Sequence, residues 1–224
     1  MAIGFILSRT LQSKFRKYSQ VPLTNGMSGA EVAAQMLRHF QIYDVQITHV
    51  EGQLTDHYNP QNKTVNLSQE VYFGRSVAAA AVAAHECGHA VQHATAYNFL
   101  QMRSALVPVV NIAASMQQYL FMFGLAGIGF FKSPILLIIA LVAFGITALF
   151  SLITLPVEFN ASSRAKVALV QAGIVDGGVS GGQESQGVEK VLGAAAWTYV
   201  AGFLASLLSL LYWVMLLTGN SRDD

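Results

Sequence analysis

A chain of 224 residues with 53% apolar and only 11% charged side chains falls well short of the roughly one-quarter charge usual in a soluble domain, so part of it belongs in lipid. Its net charge of +1 gives no basic field for nucleic acid, and none of the motifs of that class occurs. One cysteine, Cys87, excludes an internal disulfide framework.

The first segment, MAIGFILSRTLQSKFRKYSQ (1–20), has a short apolar start followed by Arg9, Lys14, Arg16 and Lys17. It is too short in apolar residues to span a bilayer and lacks a small-residue cleavage site, so it reads as an interfacial or truncated membrane anchor. Residues 21–103 read as a cytoplasmic α+β region. In SGAEVAAQMLRHF, Ser28 and Glu31 form a capping box, with Val32, Ala33, Met36, Leu37 and Phe40 at helical spacing. DVQITHV, GQLTDHY and KTVNLS then predict two or three short, partly polar strands in a small meander, at an edge rather than in a core. From Val77 to about Leu100 the pattern predicts one alanine-rich helix. Gly88 inside it costs about 1 kcal/mol of helix propensity, which close packing could require.

The second half is apolar. Residues 104–131 and 133–157 carry no charge, Lys132 lies between them, and each is long enough to cross a bilayer. The first is interrupted by Asn111, Gln117 and Gln118. Together they predict a transmembrane hairpin over 104–157. EFNASSRAKVALVQAG then reads as a separate helix beginning at Glu158, followed by the glycine-rich IVDGGVSGGQES, read as a mobile loop, within 158–193. That loop matches neither GxGxxG nor GxxxxGK, so it is no phosphate cradle. A third span is predicted over 194–218, with Trp197, Tyr199, Tyr212 and Trp213 near its ends as interfacial aromatics, before a polar tail at 219–224. Three spans place Arg9, Lys14, Arg16, Lys17, Arg38, Lys63, Arg75, Arg103, Arg164, Lys166 and Lys190 on one face and only Lys132 and Arg222 on the other. The positive-inside rule assigns the larger face to the cytoplasm.

The stretch AVAAHECGHAVQHA (81–94) carries the chemistry. On a helix, His85 and His89 share a face and Glu86 stands beside them, the HExxH arrangement. Neutral imidazoles suit zinc, the metal acidifies a water, and Glu86 is placed to take its proton. His93 shares the face too, but it lies eight residues from His85, about 12 Å along the axis. One metal cannot hold both on a continuous helix, so His93 is read as a neighbour or surface residue. A third ligand must come from another element. Glu158 is a candidate; the competing account is an interfacial acid at a helix N-terminus, favoured by the dipole. Asp56 and His57 are rival polar groups, explained equally well by a strand edge and turn. Cys87 points away from the histidine face and reads as a small buried residue.

Four blocks together resemble a known family: GQLTDHYNPQNKTVNLSQEVY, RSVAAAAVAAHECGHAVQHA, TLPVEFNASSRA and EKVLGAAAWTYVAG. In this order they resemble the YugP-like family of bacterial membrane-bound neutral zinc metallopeptidases, whose members usually begin with a full transmembrane helix where this chain has only MAIGFIL. The resemblance implies a gluzincin-type site: His85, His89 and Glu158 as zinc ligands and Glu86 as the catalytic acid/base. In the more distant HtpX and CAAX-prenyl-protease kind, an aspartate four residues after the ligand glutamate supports a zinc histidine. Here Ser162 stands there, so support comes from Ser162, from Asn160 or from elsewhere.

The expected protein is mainly α: a membrane protein with about three transmembrane helices and a small α+β zincin-like catalytic region. It is expected to be a Zn²⁺ metalloendopeptidase of the bacterial inner membrane, acting on peptides or membrane proteins at the cytoplasmic face and not on nucleic acid. Tyr199 is preferred as oxyanion stabiliser over His57 and Arg164. The competing expectations are a zinc-binding scaffold without activity and an assembly protein whose HExxH is accidental.

Overall fold

A computed structural model describes residues 2–125, 134–177 and 182–220. Lys132, Arg222 and most of the glycine-rich 177–182 segment lie outside the described residues.

The chain opens with α1 (Ala2–Ser19), one helix that packs on the last helix of the fold and buries Tyr18 in its last turn. Helix α2 (Gly29–His39) starts at the expected capping box: Ser28 Oγ accepts from the Glu31 N–H, and Glu31 accepts from the Ser28 N–H. It buries Val32, Ala33, Met36 and Leu37. Phe40 is its C-cap residue, one place beyond the last helical turn.

Three strands follow, β1 (Gln46–Val50), β2 (His57–Asn59) and β3 (Thr64–Ser68). They are not the expected meander. The order is β1-β3-β2, with β1 parallel to β3 and β2 antiparallel to it. Two left-handed positions between β1 and β2, Gly52 (φ 100°) and Leu54 (φ 56°), turn the chain so that β2 arrives on the far side of β3. The centre goes to the strand best able to bury both ends: Val65 and Leu67 of β3 are inaccessible to solvent. The sheet thus contributes to the core rather than only to an edge.

A short α3 (Gln69–Tyr72) leads into α4 (Val77–Ala94), which is buried on nearly every side, as an alanine-rich helix must be when neighbours close around it. The predicted single helix from 77 to 100 is in fact two. Helix α4 ends at Ala94, Thr95 caps it, and Ala96 turns left-handed (φ 51°) while Tyr97 N–H returns to Gln92 O. Helix α5 (Asn98–Leu125) follows this break. Its Gln117, a polar interruption in an apolar segment, donates across to Ala143 O and Thr147 Oγ1 of α6, which satisfies an amide that lipid could not.

Helices α6 (Pro134–Gln171) and α7 (Gln183–Asn220) are each continuous over 38 residues. This corrects two boundaries. Glu158 sits within α6 instead of starting a helix, so the dipole account of that acid does not apply. Gln183–Ser185 form the first turn of α7 and not a loop. Among the described residues, three helices are long and apolar enough to cross a membrane, over Asn98–Leu120, Ile135–Gln171 and Gln183–Met215; α1 is not among them. Counted from Pro134, Glu158 lies about 24 residues, roughly 36 Å, along α6, past a hydrocarbon layer of about 30 Å. Of the expected interfacial aromatics, Trp197, Tyr199 and Tyr212 are exposed. Trp213 instead stacks on Phe144, and the exposed Tyr199 lies within electrostatic reach of the buried Glu158 and Glu86.

Gly88 explains how α4 and α6 come so close. A Cβ on it would stand 2.6 Å from Ala161 O, a backbone atom with nowhere to move. We expect Gly88→Ala to lower the melting temperature of the purified protein, overpacking costing about 1–3 kcal/mol. Gly193→Ala, in α7 with nothing within 4 Å of a built Cβ, is expected to leave it unchanged or raise it; equal effects would refute the packing account.

Candidate metal centre

The helix period places His85 and His89 one turn apart on the face of α4 that meets α6, with ring centroids 4.8 Å apart. Opposite them stands Glu158, 2% exposed. Its Oε2 lies 3.1 Å from His85 Nε2 and 3.5 Å from His89 Nε2, and one ligand atom from each of the three falls within 4.8 Å of the others. Ligand bonds of about 2 Å at tetrahedral angles put donor atoms roughly 3.3 Å apart. The observed separations straddle that value, and two imidazoles with one carboxylate are the donor set zinc accepts. The cluster fits a zinc ion.

Each histidine is held from behind at its other nitrogen. Ser162 Oγ is 3.1 Å from His85 Nδ1, and Gln92 Oε1 is 3.0 Å from His89 Nδ1. Among the described residues Asn160 makes no hydrogen bond to a histidine; its Oδ1 accepts from Gln92 Nε2 at 3.0 Å and from Arg164 Nε at 2.8 Å. Burial works against the charged form of His89, but the Glu158 carboxylate outweighs it and the histidine binds a proton more tightly than usual. The same field attracts a metal cation.

Glu86 is buried, 7% exposed, and makes no hydrogen bond among the described residues. Its charge is felt by Asp56, His89 and Tyr199. Its carboxylate oxygens are not among the fully buried atoms left without a partner, so they are open to a water or substrate. Tyr199 lies within electrostatic reach of Glu158, Glu86 and Arg103. The rival oxyanion candidates stand differently: Arg164 is occupied by Asn160, and the exposed His57 bonds Thr55 O through Nδ1 at 2.8 Å. Asp56 accepts from the Ser68 N–H at 2.7 Å and lies 3.1 Å from Ser68 Oγ, tying the start of β2 to the end of β3. Burial first, and the Glu86 charge as well, raise its carboxyl above the usual range.

His93 stays outside the metal cluster, its Nδ1 2.7 Å from the Tyr58 hydroxyl. Burial pushes the Tyr58 phenol up to about 12, so it stays neutral beside His93. Cys87 is turned toward α2, its Sγ 3.7 Å from Ala33 O, and burial pushes its thiol up, away from reactivity.

Two residues of this site were missed in the sequence. Gln92 is wholly buried; an amide three residues after His89 in an alanine-rich helix was a signal, because buried amides must be hydrogen-bonded. Arg103 Nη2 lies 3.9 Å from Glu158 Oε1, and its buried Nε has no hydrogen-bond partner among the described residues. It is the last charge before the apolar hairpin as Glu158 is the first on the far strand of it, a pairing by depth that the sequence contained.

The comparisons agree with this geometry. A family model described as "Putative neutral zinc metallopeptidase" matches residues 1–218. The chain is 43% identical over 224 residues to the protein named "Putative membrane protease YugP" of Bacillus subtilis (strain 168), spanning 100% of this chain and 95% of that protein. No solved structure matches the chain.

Proposed function

The chain belongs to the neutral zinc metallopeptidase family, and from that premise we propose that it is an endopeptidase cutting membrane proteins or peptides at the cytoplasmic face of the bacterial inner membrane. The observation that carries this reading is the buried His85–His89–Glu158 cluster with an unpartnered Glu86 beside it. When bound there, zinc supplies a Lewis acid that polarises a carbonyl and acidifies a water.

The chain's own residues do the rest. His85, His89 and Glu158 hold the ion, with Ser162 and Gln92 orienting the two rings. Glu86 takes a proton from the attacking water and returns it to the leaving amine nitrogen. Tyr199 donates its phenol proton toward the oxygen that gains charge. Strand β2 has one side unpaired in the sheet and is fastened to α4 through Tyr58 and His93, so an extended peptide can add to it beside the metal. Helix α1, basic toward its end, lies as an interfacial anchor, and the basic residues on its side set the cytoplasmic orientation.

Purified protein in detergent should cleave an unfolded substrate such as casein, stop when zinc is stripped by a chelator, and recover when zinc is restored. Cleavage that survives removal of all metal would reject the metallopeptidase reading for this site.

A further inference from the structure

We infer that Gln92 is a positioning residue that fixes the tautomer of His89, so that the Nε2 lone pair of that histidine always faces the metal position while His85 is left unfixed. This rests on the zinc-site reading above and adds a constraint to it.

The argument starts at a backbone carbonyl. Gln92 is fully buried, and one end of its amide lies 2.7 Å from Val157 O. A carbonyl can only accept, so the amide atom facing it is the nitrogen. The same nitrogen meets Asn160 Oδ1 at 3.0 Å, and that oxygen is identified independently, because Arg164 Nε, which can only donate, approaches it at 2.8 Å. Both hydrogens of the Gln92 amide are thus spent on α6. The other end is therefore its oxygen, which faces His89 Nδ1 at 3.0 Å. An amide oxygen accepts and cannot donate, so Nδ1 carries the hydrogen. A neutral His89 is left with its lone pair on Nε2, the atom that faces Glu158 Oε2 at 3.5 Å.

His85 has no such constraint. Its Nδ1 faces the Ser162 hydroxyl at 3.1 Å, which can donate or accept. The two ligands look alike in the sequence, yet only one is locked. The lock is also a clamp between helices: Val157 precedes Glu158, so the amide that orients one ligand holds the backbone that carries another.

The test measures zinc affinity by competition with a chromophoric chelator on the full chain in detergent. Gln92→Leu, which removes the acceptor, should weaken zinc binding by about 10–100-fold. Gln92→Glu, which keeps an acceptor toward Nδ1 and loses both bonds to α6, should stay within about threefold of the wild type, and Ser162→Ala should lose less than Gln92→Leu. A purely structural Gln92 would make the Glu variant as poor as the Leu variant, and that result, or an unaltered Leu variant, overturns the inference. Selective nitrogen-15 labelling of histidine in the zinc-loaded wild type needs no variant to fold. It should show the proton of His89 on Nδ1, and a bare Nδ1 overturns the inference as well. His89→Ala serves as the control: should it keep full zinc affinity, the metal-site reading fails, separately from the lock.

Discussion

Glu86→Gln is expected to retain its zinc and to lose casein cleavage by about two to four orders of magnitude in kcat/KM, the range a general acid/base contributes. The substitution preserves size and removes only the ability to take a proton. Glu86 is no part of the ligand cluster, so the substitution leaves all three donor side chains in place. Nor does it make a hydrogen bond among the described residues that the amide would disturb; its neighbours Asp56 and Tyr199 feel only its charge. Zinc content by mass spectrometry and cleavage on the same preparation check both halves. Equal cleavage by the two proteins would reject Glu86 as the base. A protein that holds zinc but cleaves nothing in either form would favour a zinc-binding scaffold.

Glu158→Ala should lose zinc, its affinity falling by more than the roughly 100-fold that a supporting residue commands, while His93→Ala keeps it. The reason is geometric. Glu158 is the member of the cluster that comes from a second helix, and its Oε2 is close to both histidine Nε2 atoms. Removing it also takes away the carboxylate that stands 3.9 Å from Arg103 Nη2. Glu158→Gln, similar in volume, separates loss of the ligand from loss of packing. His93 belongs to the next turn of α4 and is engaged by Tyr58, so its removal frees a phenol and touches no ligand. Zinc lost from the His93 variant and kept in the Glu158 variant would reverse the assignment.

Much of this site could be read along one helix, because helical spacing is local. His85, Glu86 and His89 follow from the period of α4, and the same arithmetic that pairs them sets His93 aside. Glu158 was legible only as one of two possibilities until the resemblance favoured it, since pairing α4 with α6 depends on a turn through the membrane that no local pattern encodes. The mistaken helix start at Glu158 has the same origin: the end of an apolar run resembles the end of a helix, although α6 runs on unbroken to Gln171. The sheet was misjudged because strand order depends on the left-handed turns at Gly52 and Leu54, and a leucine seldom announces a positive φ. The break after Ala94 was hidden likewise, resting on Ala96 in a conformation its type disfavours. Gln92 and Arg103 escaped because their roles depend on partners 65 and 55 residues away, Val157 and Glu158.

The central claim is that two turns of α4 and the middle of α6 share one zinc ion, so that the site is complete only in the membrane fold. Anomalous scattering at the zinc edge, from crystals of the full chain grown with zinc, tests it most directly. The expected result is one strong peak about 2.0–2.2 Å from the Nε2 atoms of His85 and His89 and from a carboxylate oxygen of Glu158. A peak at His93 with Glu158 unengaged, or no zinc peak at the cluster, would contradict the account.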